Sequence, residues 1–137
     1  MKFINPKIHG YLDCAVILVL FILPSLLGFS REAARTSYIL GAIYVVLVLA
    51  TAYPLGALKL IPFTVHGAIE LVLSPVLIAL PWLAGFSYDS PARVFYIVAG
   101  VALFAVWLFT DYKAADIAYQ KRGIDLGKPR SPRGVTV

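Results

Sequence analysis

The chain has 137 residues, of which 61% are hydrophobic and only 14% are charged, and its mean hydropathy is +0.86. Soluble domains carry a charged residue at about a quarter of their positions, so this composition excludes an ordinary soluble domain. The net charge of +5 comes from 12 Lys and Arg against 7 Asp and Glu. This modest excess does not indicate nucleic-acid binding, and the single cysteine, Cys14, excludes a disulfide within the chain.

Four apolar stretches are each long enough to span a bilayer, which takes about 20 residues. They cover about residues 8–29, 36–53, 63–85 and 92–112. The acidic residues within them are Asp13, Glu70 and, at the very end, Asp111. The first stretch is too long for a signal-peptide core and lacks a small-residue cleavage site. The sequence therefore predicts four retained transmembrane helices and an all-α fold.

The basic residues predict the orientation in the membrane. An even number of spans places the N-terminus, the 54–62 loop and the C-terminal tail on one side. That side carries Lys2, Lys7, Lys59, Lys113, Lys121, Arg122, Lys128, Arg130 and Arg133, whereas the other carries Arg31, Arg35 and Arg93. By the positive-inside rule, we expect a multi-pass protein of the plasma (inner) membrane with both termini in the cytoplasm. The basic tail at 123–137 is expected to be flexible and to contact anionic lipid headgroups.

The chain contains an internal repeat of two helical hairpins. With a shift of 57 positions, residues 8–30 align without a gap with residues 65–87. This shift pairs His9 with His66, Gly10 with Gly67, Asp13 with Glu70, Pro24 with Pro81 and Gly28 with Gly85. A shift of 59 pairs Gly41 with Gly100, Thr51 with Thr110 and Tyr53 with Tyr112. We therefore predict a four-helix bundle of two tandem hairpins, residues 1–62 and 63–122, related by a pseudo-twofold axis along the membrane normal.

Local signals predict where the helices begin and end. Asn5-Pro6, Pro62 and Ser90-Pro91 are typical of helix starts. A proline followed by a glycine four residues later is expected to kink or end the first and third helices at the outer side. No stop signal follows Asp111. The fourth helix is therefore expected to continue to about residue 122.

The outer ends of the two hairpins carry a short motif, Leu23-Pro24-Ser25 in the first copy and Leu80-Pro81-Trp82 in the second, each followed by Gly-Phe. This arrangement over roughly residues 8–112 resembles the SPW-repeat family of small integral membrane proteins. That family is named for a Ser-Pro-Trp motif in the first of two transmembrane helices per repeat. Here only the proline occurs in both copies. The resemblance implies the fold of two tandem hairpins and supplies no catalytic residues.

Each hairpin begins with a histidine and an acid four residues apart, which places both on one helix face. The pairs are His9 with Asp13 and His66 with Glu70. A carboxylate facing lipid without a partner costs several kcal/mol. We therefore predict that the four side chains cluster around the pseudo-twofold axis near the cytoplasmic face, with their carboxylates within about 12 Å of each other.

This polar cluster has two interpretations. The sequence favours a structural role, in which histidine–carboxylate hydrogen bonds hold the helices together, and no cofactor. The alternative is a site of two imidazoles and two carboxylates that binds a divalent transition metal or handles protons. Haem ligation by His9 and His66 is less favoured, because the carboxylates would crowd the macrocycle. The tyrosines at span ends, Tyr11, Tyr53, Tyr88 and Tyr112, are interpreted as interfacial anchors.

The sequence has no phosphate-binding loop, no Ser–His–Asp order and no metalloprotease motif. It therefore favours a non-catalytic membrane protein: an accessory or interaction subunit, or a homo-oligomer, that packs through its helix faces. The expected partners are the lipid bilayer and either other membrane-protein subunits or a second copy, with no nucleic acid. Two alternatives stay open, an ion or proton transporter that uses the four polar groups and a metal-dependent or redox membrane enzyme.

Overall fold

The computed structural model describes residues 2–123. It contains four long helices, α1 (Pro6–Leu26), α2 (Arg31–Ala50), α3 (Phe63–Leu83) and α4 (Ser90–Phe109), then a short α5 (Tyr112–Lys121). Two-residue strands, β1 (Thr51–Ala52) and β2 (Ile61–Pro62), connect α2 to α3. Each of α1 to α4 is long and apolar enough to cross a membrane. The prediction of an all-α, multi-pass membrane protein is confirmed, while the basic tail lies, from residue 124 onward, outside the described residues.

The two hairpins begin with caps of different origin. The Asn5 side chain accepts hydrogen bonds from the first amides of α1, at 3.0 and 2.9 Å. Helix α3 follows Pro62, whose side chain cannot accept a hydrogen bond, and Asp116 of α5 takes that role. Its carboxylate accepts from the amides of Phe63 at 2.8 Å and Thr64 at 3.1 Å. Orphan amides at a helix start need such acceptors, so α5 fixes the beginning of α3.

Helices α1 and α3 end where the sequence predicts. Gly28 and Gly85 adopt φ values of +63° and +77°, the left-handed region that glycine enters without steric cost. The residue after each glycine donates its amide to the carbonyl of the repeated proline, Pro24 or Pro81, at 2.9 Å. These bonds satisfy carbonyls that the helix end leaves free. We call this side of the bundle the hairpin end.

The fourth helix does not run on without interruption. It ends at Phe109, Thr110 is extended with ψ of 138°, and α5 then begins at Tyr112. The reason lies in backbone pairing: Ile4 donates to the Phe109 carbonyl and accepts from the Asp111 amide, both at 3.0 Å. The parallel pairing of β1 with β2 is the equivalent contact after α2. We call the side that carries these pairings and α5 the strand end.

Buried side chains form two apolar clusters, one towards each end. The cluster at the hairpin end contains Ala33, Leu77, Phe86, Ala92, Tyr96 and Leu103. There the hydroxyls of Ser37 and Tyr96 lie 2.8 Å apart, and Asp89 accepts from the Ser30 amide at 2.6 Å. The cluster at the strand end contains Tyr44, Val48, Tyr53, Phe63, Tyr112 and Ala115. The hairpins are therefore joined at both ends. The strand-end cluster packs around His9 and His66.

Candidate metal centre

The structure brings the four predicted polar residues together. His9 and Asp13 project from α1, His66 and Glu70 project from α3, and none is more than 2% exposed. One potential ligand atom of each lies within 4.8 Å of the others. The predicted clustering in the interior, away from lipid, is therefore confirmed.

The imidazole Nε2 atoms face the two carboxylates. His9 Nε2 lies 3.3 Å from an Asp13 oxygen and 3.4 Å from a Glu70 oxygen. His66 Nε2 lies 3.5 Å from Glu70 and 3.8 Å from Asp13. Each histidine therefore contacts the acid of its own helix and the acid of the other hairpin, as a pseudo-twofold arrangement requires.

A threonine sets the tautomer of each histidine. His9 Nδ1 lies 3.0 Å from the Thr110 hydroxyl, and His66 Nδ1 lies 2.9 Å from the Thr51 hydroxyl. Both hydroxyls donate to the backbone carbonyl four residues earlier, at 2.6 Å. Since the hydroxyl proton is used there, the threonine oxygen accepts from Nδ1–H. In the neutral imidazole this leaves a lone pair on Nε2, and neither Nε2 has a hydrogen-bond partner within residues 2–123.

Three tyrosines donate to the carboxylates. Tyr53 donates to Asp13 at 3.0 Å, and Tyr112 donates to Glu70. The Tyr44 hydroxyl lies between the two acids, 2.8 Å from Asp13 Oδ1 and 2.9 Å from Glu70 Oε1, the oxygens that Tyr53 and Tyr112 do not contact. Burial, followed by the charge of the neighbouring carboxylate, raises the pKa of Tyr53 and of Tyr112 above the ordinary value. Both phenols therefore stay protonated and act as donors.

A glycine beside each histidine makes room for a tyrosine ring. A Cβ atom added at Gly10 would lie 2.6 Å from the Tyr53 ring, and one added at Gly67 would lie 2.8 Å from the Tyr112 ring. Real Cβ atoms do not approach rings so closely. The repeated His-Gly and Thr-x-Tyr elements therefore form one unit, in which glycine lets the ring reach the acid.

Gly67→Ala is expected to lower the free energy of unfolding by about 1–3 kcal/mol, the usual cost of overpacking a buried site. In a Tyr112→Ala background the same substitution is expected to cost much less, because the ring that it meets is gone. Thermal unfolding of the four proteins in detergent measures this coupling as a double-mutant cycle. Equal costs in the two backgrounds would show that the ring does not lie against Gly67.

Two residues of the centre have a different role from the one that the sequence suggested. Tyr53 and Tyr112, interpreted as interfacial anchors, are 0% and 6% exposed and donate to the acids, whereas Tyr11 and Tyr88 are exposed. The occurrence of Thr-x-Tyr in both copies was the signal for the first two. Tyr44 gave no such signal, because the shift of 59 places Leu103 opposite it. Its place between the two acids follows from the fold alone.

The family described as SPW repeat domain matches residues 7–110. This range includes nearly all of α1 to α4 and all four residues of the polar cluster. The chain belongs to the SPW repeat family. Comparison with curated proteins and with solved structures found no match. In this SPW repeat protein the repeated proline lies at the hairpin end, while the polar cluster lies at the strand end.

Proposed function

We propose that this membrane protein binds one divalent first-row transition-metal ion through His9, Asp13, His66 and Glu70, and that the ion joins its two repeats. The observation that carries the proposal is the pair of fully buried Nε2 atoms. Each bears a lone pair in the neutral imidazole, lacks a hydrogen-bond partner within residues 2–123, and faces two carboxylates. Two imidazoles and two carboxylates form a ligand set that suits zinc and similar ions.

The spacing of the groups supports an ion better than direct hydrogen bonds. Charge-assisted N–H···O bonds are about 2.7–2.9 Å long, and the four Nε2–carboxylate separations of 3.3–3.8 Å are longer. Ligands at about 2.0–2.2 Å from a tetrahedral ion lie about 3.3–3.6 Å from one another. One ligand atom of each residue lies within 4.8 Å of the others, so the cluster has to contract by about 1 Å to surround an ion. A purely structural role leaves both Nε2 atoms poorly satisfied.

Charge balance gives a second argument. Two ionised carboxylates buried between helices that can span a membrane carry a charge of −2, and uncompensated buried charge is costly. A divalent cation makes the centre neutral while both histidines stay neutral, and without an ion the same balance requires both histidines to be protonated. The threonine on each Nδ1 and the tyrosines on the carboxylates then serve as the outer hydrogen bonds that orient metal ligands.

The metal content of the protein tests this proposal. The full-length protein, purified in detergent without chelator and then loaded with Zn²⁺, Mn²⁺ or Fe²⁺ in turn, is expected to hold about one ion per chain by elemental analysis and native mass spectrometry. His9→Gln combined with His66→Gln is expected to hold none. A folded wild-type protein that takes up none of the three ions would overturn the proposal.

The other functions considered from the sequence receive less support. Four protein ligands complete a tetrahedral shell, which is typical of sites that hold an ion rather than of catalytic sites with an open position. An ion or proton pathway needs polar lining, and the space beside the cluster is apolar. The role of an accessory or interaction subunit stays a prediction, since apolar helix faces are explained by lipid contact alone.

We further propose that the strand end faces the cytoplasm. Within the described residues this end carries Lys2, Lys7, Lys59, Lys113, Lys121 and Arg122, as the positive-inside rule expects for the cytoplasmic side. Labelling of a Lys2→Cys, Cys14→Ala protein in intact cells tests the orientation. A membrane-impermeant thiol reagent is expected to react only after the cells are opened, and reaction with intact cells would reverse the assignment.

A further inference from the structure

A cleft of about 1140 Å³ lies between the two hairpins, partly open to the surroundings and lined by one face of each of α1 to α4. Its lining is aliphatic over most of its length. At the strand end it reaches Asp13, Tyr44 and Glu70, so one end of the apolar cleft adjoins the candidate metal centre. Ligand pockets usually measure about 300–1000 Å³, and this cleft is at least as large.

The position of the cleft indicates what fills it. Water is a poor occupant, because it needs two to four polar partners and the aliphatic walls offer none. An unfilled space of this size would deprive the side chains around it of dispersion contacts. Since the cleft runs along helices that can cross a membrane, the surrounding solvent is hydrocarbon. A long hydrocarbon chain therefore suits its length.

The polar end of the cleft indicates the head of the ligand. Tyr44 has one hydroxyl proton, which is directed at the two carboxylates. Glu70 is 0% and Asp13 2% exposed, whereas Tyr44 is 5% exposed, so Tyr44 is the side chain of this group best placed to offer an acceptor to the cleft. An anionic head would be repelled by the carboxylates when no ion is bound. With the ion bound the centre is neutral, so a cationic head would lack a counter-charge there. An uncharged hydroxyl can donate to an acceptor and brings no charge into the apolar cleft.

We propose that the cleft binds a single-chain lipid with a neutral hydroxyl head, which donates to the Tyr44 oxygen while the chain extends towards the hairpin end. This inference deepens the proposed function and rests on it, because it assigns a ligand to the centre that holds the ion. Tyr44, which lies within hydrogen-bond distance of both carboxylates, then links the ligand to the residues that hold the ion.

A photoreactive long-chain primary alcohol, with a diazirine in the middle of the chain, tests the proposal on the full-length protein in lipid nanodiscs. Cross-links mapped by peptide mass spectrometry are expected on cleft residues such as Val19 of α1 and Val98 of α4. Ala102→Trp, which fills the cleft from α4, is expected to reduce labelling about tenfold. Ala42→Trp is the matched control, since Ala42 is an exposed alanine of α2 that does not line the cleft.

A second probe with a different head group, and the metal content of the labelled protein, distinguish failure of the lipid site from failure of the metal site. The matching carboxylic acid is expected to label the cleft about tenfold less than the alcohol in metal-free protein. Labelling spread over the outer helix faces and unchanged by Ala102→Trp would overturn the lipid site, even in protein that binds the metal. Cleft labelling in protein that binds no metal would support the lipid site and overturn the metal proposal alone. A dimer that Ala102→Trp dissociates would assign the cleft to a second copy and overturn the inference.

Discussion

Zn²⁺ at a free concentration 100 times its Kd is expected to raise the free energy of unfolding of the purified protein by about 2.7 kcal/mol. The reason is that the ligand atoms lie within 4.8 Å of one another only in the folded protein. In the unfolded chain His9 and His66 are separated by 57 positions. Denaturant unfolding in detergent, with the ion or with EDTA, measures the difference. His9→Gln combined with His66→Gln is expected to lose the stabilisation completely.

Asp111→Asn provides the matched control for this experiment. Asp111 lies at the same end of the bundle but outside the cluster, where it caps α5, and asparagine is an equally good cap. This variant is expected to keep the full stabilisation by Zn²⁺. If the ion stabilised the double histidine variant as strongly as the wild type, it would be acting elsewhere, and the assignment of the four ligands would fail.

Thr51→Val and Thr110→Val are each expected to weaken metal binding about 10–100-fold, the usual effect of removing the hydrogen-bond partner of a ligating histidine. Valine preserves the shape of threonine but cannot accept the Nδ1–H bond that fixes the tautomer. The affinity is measured by competition with a chromogenic chelator in detergent.

Two control variants test whether the effect comes from the hydroxyl that contacts the histidine. Thr51→Ser keeps the hydroxyl and is expected to retain most of the affinity. Thr36→Val removes a hydroxyl that makes the same bond to a carbonyl four residues earlier but contacts no histidine, and no change is expected. If Thr51→Val and Thr36→Val had the same effect on affinity, Thr51 would have no role in orienting His66.

Much of the centre could be predicted from the sequence because it occurs twice. His9 with Asp13 and His66 with Glu70 are ionisable pairs in apolar surroundings, and burial against each other is the least costly solution for both copies. The same repetition marked Thr51 and Tyr53 through their counterparts after α4. Their burial did not follow, because a tyrosine at the end of a span suits the membrane interface equally well.

The sequence by itself determined the four helices, since about 20 consecutive apolar residues leave the backbone no alternative in lipid but to satisfy its own hydrogen bonds. Its repeated prolines and glycines also predicted where α1 and α3 end. Only the tertiary structure decided the interruption between α4 and α5, because the pairing of Ile4 with Phe109 and Asp111 joins residues more than 100 positions apart. It likewise decided the place of Tyr44, which has no counterpart in the second repeat and reaches both acids only when the hairpins meet. Contacts between distant segments depend on how the helices pack, and no local pattern encodes that.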